Sequence, residues 1–167
     1  MLNNLLALHG GGTAPDYGSY VPIQSYTVGA GGQSSIDFTS IPSTYTHLQV
    51  RYIVRSTQAA TETGINARIN SDSGSNYAYH YIFGDGASVV AGAGATQTSI
   101  NLINVTGASA TSNTFAAGVF DLLDYTSTSK NKTIRLLQGW DGNGSGRLNF
   151  SSGLRMNSST AVSSISF

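Results

Sequence analysis

The residues of this chain with chemistry to offer are three histidines, eight carboxylates and one calcium-like loop. His9, His47 and His80 are widely separated, and no two stand at i,i+4, the spacing that aims two imidazoles at one zinc ion from a helix. The closest carboxylates are Asp121 and Asp124, in FDLLDY. Residues three apart on a strand point to opposite faces, whereas glycoside hydrolysis needs two facing carboxylates. A strand end and turn start account for this pair. No GxSxG elbow activates a serine. The stretch Asp141–Gly146, DGNGSG, matches the opening of a calcium loop, but the bidentate glutamate position falls on Ser152. A glycine-rich hairpin turn accounts for the same residues. The chain has no cysteine, hence no thiolate site or disulfide. These residues call for no catalytic centre, metal or cofactor, and the expectation is a protein that is not an enzyme.

Aromatic residues offer contact chemistry instead. Tyr77, Tyr79 and Tyr81 alternate in YAYHYIF and share one face if that run is a strand. Such a ladder packs a core or a subunit interface, or presents rings and hydroxyls to a sugar or protein partner. Trp140, expected at a loop tip in GWDGNGSG, is either a surface contact or folded back over the end of the domain.

The elements that must position these residues read as strands. His47–Arg55 sets Leu48, Val50, Tyr52 and Val54 on one face, against His47, Gln49, Arg51, Ile53 and Arg55 on the other. Further strands are expected over Tyr20–Val28, with Pro22 at an edge, and over Ser34–Phe38, Gly64–Asn70, Tyr77–Phe83, Thr98–Val105, Phe115–Leu123, Thr133–Gly139, Arg147–Met156 and Ser163–Phe167. The segment GDGASVVAGAGA reads as a loop holding a weak strand. Nine or ten strands with closely spaced turns predict an all-β fold, an antiparallel β-sandwich of jelly-roll-like type.

Residues 1–18 stand apart. Leu2, Leu5, Leu6 and Leu8 precede the joint Gly10-Gly11-Gly12, which reads as an N-terminal arm with partner-binding leucines, or as a frayed terminus. The sandwich domain is expected over 19–167. Charged residues are 10 % of the chain, and eight basic residues balance eight acidic ones. That surface gives no electrostatic footprint for nucleic acid and little self-repulsion. No segment approaches the roughly 18 apolar residues of a bilayer span. No nucleic-acid or membrane partner is therefore expected, and self-association is easy.

From Ser19 to Arg55 the chain resembles a bacteriophage virion protein family found in phages of aquatic bacteria, cyanophages included, whose members are labelled structural or tail-fibre proteins. The matching residues are Thr27–Gly32 (TVGAGG), Phe38–Leu48 (FTSIPSTYTHL), the basic pair Arg51 and Arg55, Asn70–Tyr77 (NSDSGSNY) and Ala161–Phe167. The resemblance extends over nearly all of Ser19–Phe167, and Ile41–Leu48 is its most specific part. Family members often carry one more strand beyond SSISF, which implies an open sheet edge in this chain. The arm also lies outside the family pattern. The resemblance implies a virion structural protein on the particle surface, with other virion proteins of capsid or tail as partners. A capsid decoration or cement role through the arm competes with a tail-fibre or receptor-binding role toward a host glycan. A homo-oligomer is expected, and the usual symmetry of virion appendages makes it a trimer.

Overall fold

In the computed structural model, which describes residues 20–156 and 160–167, the alternation read in the sequence becomes ten strands and, among the described residues, no helix. They are β1 (Asp37–Phe38), β2 (Leu48–Val54), β3 (Glu62–Ile69), β4 (Tyr77–Gly84), β5 (Val89–Gln97), β6 (Ile100–Thr106), β7 (Ala116–Leu123), β8 (Lys132–Asp141), β9 (Gly146–Arg155) and β10 (Ile165–Ser166). Two antiparallel sheets form, one of four strands in the order β1-β10-β3-β6 and one of six in the order β2-β7-β8-β9-β4-β5. The all-β sandwich is as expected.

The pairing has a simple logic. β4 pairs β5, β3 pairs β6, β2 pairs β7 and β1 pairs β10. This is one long two-stranded ribbon rolled up on itself, the jelly-roll arrangement. One hairpin is extra. β8 and β9, ten residues each, are inserted between β7 and β4 and widen one sheet. Asn143 and Gly144 both have positive φ, 65° and 100°, which gives the tight primed turn that joins two such strands.

Leu48, Phe120, Leu122, Ile134 and Leu136 from the larger sheet meet Ala67, Ile69, Ile100, Ile103, Val105 and Ile165 from the smaller. Phe167 stands edge-on to both Phe38 and Phe120. Each large apolar side chain so buried contributes roughly 1.5–3 kcal/mol. Buried hydroxyls tie the turns to this core. Tyr125 donates to the carbonyl of Pro42, which fixes the IPS turn. The Tyr77 hydroxyl accepts from Ile69 N–H and donates to the Asp72 carbonyl, both at 3.0 Å. Asp72 in turn accepts from Arg155 Nε at 2.9 Å.

Three expectations are corrected. Tyr20–Val28 joins neither sheet: its residues are exposed and reach the fold through side chains such as Gln24, which donates to the Thr39 carbonyl. The AGAG segment is a full nine-residue edge strand, β5, rather than a loop holding a weak strand. The last strand, β10, has neighbours on both sides, β1 and β3, so the open edge expected at SSISF is not there. Asp124 follows the last residue of β7 and has a φ of 49°, the strand end and turn start expected of it. The arm leucines Leu2, Leu5, Leu6 and Leu8 lie outside the described residues.

Candidate interaction surface

Strand β9 reverses the usual polarity of a strand, and β8 joins it only at Leu137 and Gln138, its Ile134 and Leu136 facing the core. In β9, Asn149 and Ser151 face inward at 2 % exposure each, while Leu148 and Phe150 face outward at 62 % and 57 %. In β8, Gln138 is buried and its neighbour Leu137 is half exposed. Buried polar groups must be hydrogen-bonded to be tolerated. Here Tyr52 donates to Gln138 Oε1 at 2.6 Å and Ser151 donates to Asn149 Oδ1 at 2.6 Å. Burial raises the pKa of the Tyr52 phenol, so it remains a hydrogen-bond donor.

Register then gathers the outward residues into rows across the six-stranded sheet. One row runs Ile53, Ala117, Gly139, Leu148, Gly84, Val89, and the next runs Arg51, Val119, Leu137, Phe150, Ile82, Ala91. Ile53, Val89, Leu137, Leu148, Phe150 and Ile82 are each about half exposed or more. At about 100 Å² apiece they put on the order of 600 Å² of apolar surface on one face. The largest apolar patch on a typical monomer is about 300–600 Å² and often functional, so this face stands at the top of that range. Within it lies a shallow trough lined by Arg51, Ala117, Val119, Leu137, Gly139 and Leu148. Gly139 keeps the trough open, because a Cβ there would meet the Arg147 carbonyl oxygen at 2.8 Å.

A polar row borders the patch: Gln49, Asp121, Arg135, Ser152 and His80. Two of the charges here match each other, and Arg51 is held by neutral groups. Arg135 lies 3.5 Å from Asp121, whose other oxygen accepts from Gln49 at 2.8 Å. Arg51 donates to Gln49 Oε1 at 2.6 Å and its guanidinium stands 5.1 Å from the centroid of the Tyr20 ring. Arg55 donates to the carbonyls of Ala108, Ala110, Thr111 and Thr114.

The residues singled out from the sequence stand elsewhere. Tyr77 is fully buried, so it is corrected from surface contact to core residue, with its hydroxyl spent on β3 and the following turn. Tyr79 and Tyr81 are partly buried on the inner face and pack against the core. Opposite them in β5 are Gly94 and Gly92, where an added Cβ would lie 2.6 Å from Tyr79 Cζ and 2.5 Å from the Tyr81 hydroxyl oxygen. The glycines give the rings their space. Trp140 is not at a loop tip: it is the penultimate residue of β8 and packs on the core, with the Gly142 turn against its ring.

Each candidate acid is engaged. Glu62 pairs with Arg147 at 2.7 Å, and Asp124 with Lys130 at 2.8 Å. Lys130 holds the Asp124 carboxyl below its usual range. Asp141 Oδ1 accepts from Asn143 N–H at 2.7 Å within the hairpin turn. His47 Nδ1 accepts from Asp124 N–H, and His80 is exposed on the sheet face. Among the described residues no three of His, Cys, Asp and Glu come together in a group that could hold a metal ion. The arrangement offers apolar contact area; the His–carboxylate contact among the described residues, His47 Nδ1 to Asp124 Oδ1 at 3.8 Å, lies at an exposed turn with Asp124 also held by Lys130. No protein-family model, curated protein or solved structure matches the chain.

Proposed function

We propose that this chain is a structural protein on the surface of a bacteriophage particle, working by contact rather than by catalysis. The observation that carries the contact reading is the inside-out stretch of the β8–β9 hairpin near its turn, which buries Gln138, Asn149 and Ser151 and turns Leu137, Leu148 and Phe150 to solvent. A sequence that spends its apolar residues outside, at the cost of polar groups inside, supports a face meant to be covered. The pairing of Glu62, Asp121 and Asp124 with cations supports a non-catalytic role. The virion setting comes from the resemblance over Ser19–Phe167, and the jelly-roll architecture, common to viral capsid and lectin domains, is compatible with it.

On the particle, the reading is a capsid decoration or cement protein. A broad, mostly apolar face suits protein–protein packing. A glycan-binding tail-fibre module, the second reading, would set several exposed aromatic rings among polar groups; Tyr77, Tyr79 and Tyr81 line the interior instead, and Tyr20, beside Arg51 and Gln49, is the feature that favours this second reading. The segment with Leu2, Leu5, Leu6 and Leu8 is the proposed shell anchor. The test is to separate heads from tails of purified particles and locate the chain by mass spectrometry. Recovery with heads is expected. Recovery with tails alone would reverse the placement, and absence from both fractions would end the virion reading.

A further inference from the structure

Resting on the reading that this protein works by contact, we infer that the outer face of the six-stranded sheet pairs with the same face of a second copy of this chain. Three features of the face argue for that occupant over others. The first is area. About 600 Å² from each copy gives on the order of 1,200 Å² buried in total, the lower edge of the range for stable specific interfaces.

The second is polarity. Asp121 and Arg135 pair with each other, and Arg51, at the β2 edge, bonds the neutral Gln49 amide and stacks on Tyr20, so the face carries one positive charge at its rim and none among its apolar side chains. A strongly charged partner would leave most of its own charges buried and unpaired against the apolar rows. A second copy brings the same apolar rows and keeps each Arg51 at the rim. With eight basic and eight acidic residues per copy, two copies do not repel.

The third is shape. The trough above Ala117 and Gly139 lies beside the ridge formed by Leu148 and Phe150. The seam between β8 and β9 is the midline of the sheet, with three strands on either side. A two-fold axis near that seam sets the ridge of each copy over the trough of the other. Such a contact uses one patch twice and closes at two copies. The three-fold association suggested by appendage symmetry would need two different patches, and this face supplies one.

The full chain is tested by sedimentation and light scattering from about 1 µM to about 1 mM, the range in which a pair of this kind dissociates. The wild type is expected to form a reversible dimer. Leu148→Ser combined with Phe150→Ser removes four apolar side chains per pair and should weaken association at least about 100-fold. Both positions are more than half exposed, and an unchanged circular-dichroism melt verifies that the fold survives. Because the chain has no cysteine, Leu148→Cys gives a unique thiol beside the seam. Stacked sheets lie about 10 Å apart, so a bis-maleimide of that span should link Leu148→Cys copies. It should not link copies of Asn66→Cys, which sits exposed on the other sheet.

A wild type that stays monomeric throughout, a dimer that the double variant leaves intact, or a trimer would each overturn the inference. So would a monomer whose Leu148→Cys thiol is shielded from maleimide, because the face would then be covered by residues 1–19. None of these results touches the contact reading, which is measured separately on particles.

Discussion

Replacing Asp72 by asparagine should destabilise the fold through charge rather than shape. Asp72 Oδ2 accepts from Arg155 Nε at 2.9 Å, and the same carboxylate accepts from Gly74 N–H and from Asn76 Nδ2. Arg155 is 6 % exposed, and across the β8–β9 ladder from it stands Lys132, fully buried, its ammonium donating to the carbonyls of Ser127 and Lys130. Burial lowers the Lys132 pKa, and the Arg155 charge adds to that effect. Asp72 is therefore the counter-ion of Arg155, a buried cation made harder to keep by the second one beside it. Breaking a buried pair by removing one partner costs about 3–5 kcal/mol. Asparagine keeps one acceptor, so the low end, about 3 kcal/mol, is expected, or roughly 6–12 °C in Tm for a domain of this size.

The pH dependence gives a second readout of the same pair. Burial pushes the Asp72 carboxyl up, but the Gly74 N–H, Asn76 and Arg155 outweigh it and hold the pKa below its ordinary 3.8. The wild-type advantage is thus complete above pH 3.8 and fades as pH falls through the lower folded value. Urea titrations followed by circular dichroism at pH 7 and again below pH 3 should show the wild type and Asp72→Asn converging in acid. Adding Arg155→Met to Asp72→Asn should recover about 1 kcal/mol by removing the cation that the single variant leaves unpaired. A difference under about 1 kcal/mol at pH 7, or one that persists unchanged in acid, would refute the counter-ion argument.

Substituting valine for both Gly92 and Gly94 should drive β5 off the rings of Tyr81 and Tyr79, at about 1–3 kcal/mol; hydrogen exchange should accelerate over 89–97 and stay unchanged over 116–123. Burial raises the phenol pKa of both Tyr52 and Tyr77, so an absorbance titration at alkaline pH should leave these two silent while the chain is folded. The stability linked to them is complete below their unfolded pKa of 10.0 and is lost as pH rises above it. Tyr52→Phe should remove one of the silent groups and cost about 1 kcal/mol through the lost bond to Gln138. Calcium at 100 times the dissociation constant of a real site would add about 2.7 kcal/mol; with Asp141 engaged by its own turn, millimolar calcium should leave the melting curve where it is.

Strand identity was legible wherever alternation was strong. Leu48–Val54 and Tyr77–Phe83 read correctly because branched and aromatic residues recur with period two. β5 was obscured because alanine and glycine carry little β-propensity. Its clue was spacing: Gly92 and Gly94 repeat the interval of Tyr79 and Tyr81, and the two pairs meet in register. Tyr20–Val28 is rich in branched and aromatic residues too, yet composition names an extended segment and not a partner for it. The apolar face was hidden for a different reason. Ile53, Leu137, Leu148 and Ile82 come from four strands, and only register makes them neighbours. The reversed order of Leu148-Asn149-Phe150-Ser151 cannot be read before it is known which side of the hairpin meets the other sheet.

The rolled ribbon also sets an order of events in time. Asp37 pairs with Ser166, about 130 residues later in the chain, so the smaller sheet can be completed only by a contact of very long range. Folds dominated by such contacts form in milliseconds to seconds, well after local hairpins. The β8–β9 hairpin can zip by itself in microseconds, but its ladder with β4, which brings Phe150 opposite Ile82, needs a second, slower closure. Leu148 and Phe150 therefore become part of one continuous face only when the larger sheet is complete. A nascent or half-folded chain presents these residues as a narrow ribbon without the rows on either side. The surface on which this protein would recognise its neighbours comes into existence with the native state, so that association waits for folding.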